Sequence, residues 1–202
     1  MIIFSPLIYR QKSVVMKNIL ILSLLLVFGG SLSAQKVSNF TLKDVRNNKQ
    51  VSLSDFSNAK GVVVIFTSNV CPYSVYYEGR ITQLIAQYKD KGIQFLLINS
   101  HTENKESESE MANKIAAWGL DVPYLADKDQ QVLDAFKARK SPEVFLLKNN
   151  GSFSIFYHGA IDNNPQVATD VKERYLKDNI EALLKGKPAI AGGRPTGCMI
   201  KR

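Results

Sequence analysis

A cysteine stands where an apolar strand gives way to a helix. Cys71 follows the β-branched run of residues 62–66, and apolar residues recur at helical spacing over residues 77–91. The first turn of a helix presents unpaired backbone N–H groups and the positive end of the helix dipole, which together lower the pKa of a thiol. Pro72 suits that turn because it has no N–H to leave unpaired. The position favours a nucleophilic thiolate, with an inert buried cysteine as the alternative.

Residues 66–74 read Phe-Thr-Ser-Asn-Val-Cys-Pro-Tyr-Ser, which resembles the active-site turn of thioredoxin-like proteins. The closer resemblance is to the peroxiredoxin-like branch of exported redoxin-domain proteins. Residues 91–100, residues 141–146, residues 157–164 and residues 194–201 match the same branch in the same order. The resemblance therefore covers the chain from about Asn39 to its C-terminus.

The resemblance assigns roles to the residues of this turn. Cys71 falls on the first, nucleophilic cysteine of thioredoxin's Cys-x-x-Cys motif, and Ser74 falls on the second, resolving one. The closer relatives carry another cysteine three residues before the nucleophile, where this chain has Ser68. Cys71 is therefore expected to lack a resolving cysteine nearby. The residues expected to support it are Thr67, Ser68, Asn69 and Ser74.

The Ser141-Pro142 pair is the second part of the expected site. In the resembled fold a cis-proline here lies against the nucleophile, and the residue before it offers backbone groups to an extended substrate. The resemblance implies a cis peptide, with a trans proline that opens a strand as the alternative. The residues expected to bind substrate are Ser141, Pro142, Pro72 and Tyr73.

The second cysteine of the chain, Cys198, lies in a C-terminal tail of residues 186–202 that contains Gly192 and Gly193. Such a tail is expected to be mobile. If it folds back, Cys198 could resolve a sulfenic acid or a mixed disulfide on Cys71. A structural disulfide and an unpaired thiol are the other two interpretations. The sequence leaves all three open.

Peroxide reduction is an alternative chemistry for a single reactive cysteine. The peroxidatic motif Pro-x-x-x-Thr/Ser-x-x-Cys is half present, because Ser68 fits it and Val64 stands where the proline belongs. Arg80, nine residues beyond the cysteine, is predicted to face solvent. A one-cysteine peroxidase acting on a small peroxide therefore stays an alternative without further support.

Metal binding is a third class of chemistry to weigh. Copper-delivery relatives of this fold use Cys-x-x-x-Cys with a distant histidine, and Val75 occupies that second cysteine position here. His101 and His158 are interpreted as ordinary surface or strand residues. Cys198 and Met199 are adjacent soft ligands, and two neighbours do not make a site. We predict no metal and no cofactor.

The first 34 residues are typical of a signal peptide. Lys17 precedes a short apolar core over residues 19–28, and Ser33-Ala34 suits a signal-peptidase site. That core is shorter than the roughly 20 residues that span a bilayer. We therefore expect a periplasmic or secreted domain of residues 35–202, with no stable membrane insertion after cleavage. An uncleaved membrane anchor is the alternative, and translation could begin at Met1 or Met16.

The charge pattern argues against nucleic acid as a partner. The full chain has a formal net charge of +8. Its cations are scattered rather than clustered, and Glu103, Glu106, Glu108 and Glu110 form an acidic run. A solvated surface is the simpler interpretation.

The order of apolar patterns predicts one α/β domain. Buried strands at residues 61–67 and 93–99 form a parallel pair, a hairpin crosses residues 149–151, and a last helix covers residues 166–184. A β extension over residues 37–53 precedes this core. The pattern fits a thioredoxin-like fold with a mixed central sheet flanked by helices.

Two functions follow from these observations. The first is a thiol-disulfide oxidoreductase that acts on protein thiols or disulfides through Cys71, with Cys198 as its candidate partner. The second is a binding module that keeps the fold, has lost turnover, and holds protein clients through the Ser141-Pro142 edge.

Overall fold

A mixed sheet is the centre of the computed structural model, which describes residues 35–201. The sheet has seven strands in the order β2-β1-β5-β4-β3-β7-β8, and β6 and β9 form a separate pair. The strands are β1 (Thr41–Asp44), β2 (Lys49–Ser52), β3 (Gly61–Phe66), β4 (Ile93–Asn99), β5 (Tyr124–Ala126), β6 (Lys140–Ser141), β7 (Glu143–Asn149), β8 (Phe153–Gly159) and β9 (Cys198–Met199).

Strand β3 lies at the middle of the sheet and is buried along its whole length. Its residues are apolar and mostly β-branched, as expected for a strand covered on both faces. Val64 pairs with Leu96 in the parallel strand β4 and with Phe145 in the antiparallel strand β7. The predicted parallel pair is therefore confirmed.

Four α-helices of the described chain cover the sheet: α1 (Pro72–Tyr88), α2 (Glu108–Trp118), α3 (Gln131–Phe136) and α4 (Tyr175–Leu184). Successive side chains of a strand point to opposite faces, so β3 contributes to two cores. Val63 and Ile65 pack with α1, α2 and α4. Val62, Val64 and Phe66 pack with α3 on the other face. The predicted α/β class, with a mixed sheet flanked by helices, is confirmed.

Most predicted elements lie within a few residues of the observed ones, but the last helix is shorter than predicted. It was expected over residues 166–184 and begins at Tyr175. The side chain of Asn163 accepts hydrogen bonds from the backbone N–H groups of Lys172 and Glu173. The amide of Asn164 binds the N–H groups of Gln166 and Val167 in the same way. These local bonds compete with helix formation.

The N-terminal β extension is present as predicted. Strand β1 pairs antiparallel with β2 and continues the sheet through β5. The buried carboxylate of Asp44 accepts hydrogen bonds from the guanidinium of Arg46, which also pairs with Asp121. The predicted signal peptide lies outside the described residues. Within residues 35–201, no helix is long and apolar enough to cross a membrane.

Candidate active site at the start of helix α1

Cys71 is the N-cap residue of helix α1, with extended backbone angles and Pro72 directly after it. Its carbonyl oxygen accepts the first helical hydrogen bond, from the N–H of Val75 at 3.1 Å. The residue is only 3% exposed. Cys71 therefore lies where the unpaired N–H groups of the first turn favour a thiolate. No acidic residue stands in that turn to oppose them.

Cys71 forms a disulfide with Cys198, across a sequence separation of 127 residues. Of the three interpretations of Cys198, the unpaired thiol is thus not the state of this structure. The Sγ atom of Cys71 also lies 3.2 Å from the carbonyl oxygen of Ser141. A disulfide has no S–H, so this contact becomes a hydrogen bond only when Cys71 is a thiol.

The Ser141–Pro142 peptide is cis, as the resemblance implied. Ser141 is fully buried and ends the short strand β6. That strand pairs with β9 of the tail, so that Ser141 lies opposite Cys198 and Lys140 lies opposite Met199. The edge expected to receive an extended substrate therefore holds a segment of the chain itself.

The tail is docked, which makes the expectation of mobility wrong. The side-chain amide of Asn179 in α4 binds both the N–H and the carbonyl of Ile190. Farther along, the carbonyl of Gly193 accepts the N–H of Ala160. Beyond Cys198, Ile200 is 5% exposed and belongs to the core that contains Phe66. The glycines of the tail allow its backbone to pack closely against the domain. A Cβ at Gly193, for example, would lie only 2.6 Å from the Tyr175 ring.

The cysteine turn, residues 67–71, is hydrogen-bonded to a buried carboxylate that the sequence analysis did not predict as part of the site. Glu106 is 1% exposed. Its Oε1 accepts the hydroxyl of Ser68, and its Oε2 accepts the N–H of Asn69 at 2.8 Å. The Ser68 oxygen in turn accepts the N–H of Cys71 at 2.9 Å. Ser68 therefore connects the carboxylate of Glu106 to the backbone of Cys71.

A second layer of polar groups fixes Glu106. The amide nitrogen of Asn99, at the end of β4, donates to Glu106 Oε2 at 2.7 Å. The ammonium of Lys128 donates to the Asn99 side chain and to the carbonyls of His101 and Glu106. Burial lowers the pKa of Lys128 to about 8, although the negative charge of Glu106 opposes that shift.

His101 belongs to the site rather than to the surface. It is 5% exposed, and its Nε2 lies 2.9 Å from the hydroxyl oxygen of Ser141. Burial lowers the pKa of its imidazole. His101 therefore supports the residue before Pro142. Its position two residues beyond the end of strand β4 was the available sequence signal.

Glu143 and His158 hold the other side of the same edge. The buried carboxylate of Glu143 accepts the N–H groups of Arg139 and Lys140 at 2.7 and 2.9 Å. It also contacts His158 Nε2 at 2.5 Å, and these hydrogen bonds lower the pKa of Glu143 against the effect of burial. The predicted strand position of His158 is confirmed.

The remaining predicted site residues differ in their surroundings. Thr67 is buried and donates its N–H to Ile98. Ser74, at the resolving position, is buried in α1, and its hydroxyl has no hydrogen-bond partner among the described residues. Pro72 is exposed, and the half-buried Tyr73 packs its ring edge-to-face on Tyr76.

The prediction that Arg80 faces solvent is wrong. Its guanidinium lies over the Tyr77 ring and binds Asp162 at 2.6 Å. It also donates to the carbonyls of Asn164 and Pro165. Arg80 therefore fastens the loop that follows β8, and the charged partner explains how an arginine is accommodated there.

Comparison with known proteins places these observations in a family. The AhpC/TSA family model matches residues 34–161. The thiol-disulfide oxidoreductase ResA of Bacillus subtilis is 30% identical over 128 residues, which cover 62% of this chain and 68% of that protein. The tail with Cys198 lies beyond the residues that the family model matches.

Two solved structures illustrate the structural similarity. An uncharacterized conserved protein of Geobacillus kaustophilus superposes with a TM-score of 0.77 at 26% identity, covering 84% of this chain and 91% of its own. A putative thiol:disulfide interchange protein DsbE of Chlorobium tepidum superposes with a TM-score of 0.58 at 20% identity, covering 75% and 96%. The second similarity concerns the fold alone.

Proposed function

We propose that this chain, a member of the AhpC/TSA family, is an exported thiol-disulfide oxidoreductase. The proposed activity uses Cys71 and Cys198. The relatives that it matches include thiol-disulfide oxidoreductases. The observation that carries the proposal is the disulfide between a helix-capping cysteine and a tail cysteine that lies on the cis-proline edge. Protein thiols and disulfides are the proposed substrates.

The reaction follows from ordinary thiol-disulfide exchange. In the reduced protein, the Cys71 thiolate attacks a client disulfide and forms a mixed disulfide, while the client's other sulfur leaves as a thiolate and takes a proton. The Cys198 thiolate then attacks Cys71 Sγ and releases the first client sulfur. The client gains two electrons and the protein is left with the Cys71–Cys198 bond. A client dithiol is oxidised when its two thiolates attack in turn, first the Cys71–Cys198 bond and then the mixed disulfide, which returns both cysteines to thiols.

The two sulfurs differ in how they can be reached in the oxidised protein. Cys71 is buried, whereas Cys198 is partly exposed. An incoming thiolate is therefore expected to attack Cys198 Sγ, with Cys71 as the leaving group. Exchange is faster when the leaving thiolate is the more stable one, and the helix terminus stabilises Cys71.

Exposed apolar side chains near the two cysteines suit a protein client. Val70, Val75, Tyr76 and Met199 are between 41% and 60% exposed, and each lies within five residues of a disulfide cysteine in sequence. Exposed apolar side chains that flank a reactive cysteine offer contacts to an apolar segment of a protein client, which a small peroxide does not have.

The export part of the proposal rests on the signal-peptide pattern of residues 1–34. The disulfide is compatible with an oxidising compartment, where disulfides form readily. Amino-terminal sequencing of protein from the periplasmic or secreted fraction should begin at Gln35. Intact leader in the membrane fraction would instead support the anchor.

The test of the activity is electron transfer with full-length protein and a reduced, unfolded client. With the reduced client, oxidised wild-type protein should form disulfides and Cys71→Ser protein should form none. With a client that already carries a disulfide, reduced Cys198→Ser protein should accumulate a mixed disulfide on Cys71, while the other client sulfur leaves as a thiol. Equal activity of wild-type and Cys71→Ser proteins would contradict the proposal. Consumption of hydrogen peroxide by Cys198→Ser protein, without client oxidation by the wild type, would favour the peroxidase alternative.

A further inference from the structure

The tail shows which segments the β6 edge can hold. We propose that this edge is a selective site for extended protein segments of the sequence Gly-Cys-x-aliphatic, and that residues 197–200 are its resident occupant. The inference rests on the proposed function and names the client class of that site. Three features of the docked tail carry it.

The first feature is the residue before the cysteine. A Cβ built on Gly197 would lie 2.2 Å from the carbonyl oxygen of Ser141 and 2.6 Å from its carbonyl carbon. Real Cβ atoms essentially never approach another heavy atom closer than 3.0 Å. The obstructing atoms belong to the backbone of Ser141, which is fully buried and whose side chain is hydrogen-bonded to His101. A Cβ here would require the buried Ser141 backbone to shift, so the edge strongly favours glycine at this position.

The second feature is the residue two positions after the cysteine. The N–H of Ile200 donates to the carbonyl of Arg139 at 2.9 Å, which extends the antiparallel pairing beyond β9. Its side chain is 5% exposed and joins a core that includes Phe66 and Phe136. An aliphatic side chain gains free energy by leaving water at this position, and a charged one loses it.

The third feature is the residue between them. The side chain of Met199 is 60% exposed. Successive side chains of a strand point to opposite sides. Cys198 and Ile200 point inward, and Met199 between them therefore points outward. The edge therefore imposes no demand on this position.

A client segment and the tail use the same backbone groups of β6, so each excludes the other. In the covalent step, the Cys71 thiolate displaces a leaving thiolate from the client cysteine, and that thiolate takes up a proton. A segment that fits the edge brings its sulfur to Cys71 in the place that Cys198 occupies in this structure. Segments that cannot fit should react much more slowly.

The test uses full-length protein with Cys198→Ser and Gly197→Ala, which leaves Cys71 as its reactive sulfur and disfavours tail docking. The probes are three peptides whose cysteine carries thionitrobenzoate: Pro-Thr-Gly-Cys-Met-Ile-Lys, the same peptide with alanine in place of its glycine, and the same peptide with aspartate in place of its isoleucine. The rate of thionitrobenzoate release by Cys71 is measured, and dithiothreitol provides the reference reactivity of each peptide.

We expect the first peptide to react at least about tenfold faster than either of the others, after correction for its reactivity with dithiothreitol. Rates within twofold for all three would overturn the selective edge and leave the proposed function standing. Failure of Cys71 to react with any of them would count against the proposed function itself.

A second measurement guards against a misfolded double variant. In otherwise wild-type protein, Gly197→Ala should shift the equilibrium with glutathione at least about tenfold away from the Cys71–Cys198 bond. Thr196→Ala is the matched control, because Thr196 precedes Gly197 and is exposed. It should leave the equilibrium within twofold of the wild-type value. Equal behaviour of the two variants would contradict the close approach at Gly197.

Discussion

Replacing Glu106 with glutamine tests whether a buried carboxylate holds the cysteine turn. The carboxylate accepts four hydrogen bonds, from Ser68, Asn69, Val70 and Asn99. A glutamine of the same shape keeps one acceptor oxygen and replaces the other by an NH₂ group. Whichever way the amide turns, its NH₂ faces donors.

Neither orientation can be accommodated by a simple rearrangement. The Ser68 oxygen already accepts the N–H groups of Val70 and Cys71, so its own hydrogen needs an acceptor. On the other side, the Asn99 oxygen already accepts the N–H of His101 and the ammonium of Lys128. Turning the Asn99 amide over would break those two bonds.

The expected loss follows from the bonds that disappear. Hydrogen bonds to charged groups contribute about 1.5–3 kcal/mol each, and a buried donor without a partner costs a similar amount. We expect Glu106→Gln to lower the free energy of unfolding by about 3 kcal/mol or more, which corresponds to a melting temperature lower by about 6–12 °C for a domain of this size.

The measurement is urea unfolding of oxidised full-length protein, with Glu108→Gln as the control. Glu108 carries a carboxylate two residues away, with its side chain 42% exposed and paired with Lys43, so its loss should change stability by no more than about 0.5 kcal/mol. If the two variants lose the same stability, the carboxylate beneath the turn does not have the role assigned to it.

Three further predictions concern the sulfurs. In Cys198→Ser protein, the pH midpoint of Cys71 alkylation by iodoacetamide should lie below the ~8.5 of a free thiol, and a midpoint at or above that value would remove the basis for a nucleophilic Cys71. Brief treatment of oxidised wild-type protein with glutathione should give an adduct on Cys198, as seen by peptide mapping, because Cys71 is buried; an adduct mainly on Cys71 would reverse the proposed order of attack. Ser74→Cys protein should form a disulfide between positions 71 and 74 at the expense of the Cys198 bond, since the Ser74 hydroxyl has no hydrogen-bond partner among the described residues to lose. Mapping that finds only the Cys198 bond would show that the tail is favoured over a local resolver.

Local patterns were enough to predict the strands and the cysteine at the helix start. The continuous apolar run of β3 and the Pro72 that follows Cys71 are encoded within a dozen residues. The role of Glu106 was not predictable in this way, because it depends on a contact with Ser68 across 38 residues of chain. The acidic run that contains Glu106 was interpreted as a solvated surface, and for Glu106 this interpretation is wrong because its side chain is buried.

The tail shows a second limit of local reasoning. Its glycines and prolines predict mobility, yet the same glycines allow close contacts with Ser141 and Tyr175. Ile200, two positions beyond Cys198, is buried in the core and helps to dock the tail. The composition of the tail gave no indication of this. The start of α4 was misplaced because the side chains of Asn163 and Asn164 bind backbone groups that a helix would have used.

The central claim is that the Cys71–Cys198 bond turns over rather than merely closing the fold. Closing a loop of 127 residues would by chain entropy alone stabilise the folded state by about 5 kcal/mol, so a purely structural bond should resist reduction. The most direct measurement is the redox midpoint of this bond in wild-type protein, with peptide mapping to identify it. We predict a midpoint between about −120 and −270 mV, as in catalytic thiol-disulfide proteins, whereas a value below about −300 mV, or no Cys71–Cys198 peptide, would contradict the claim.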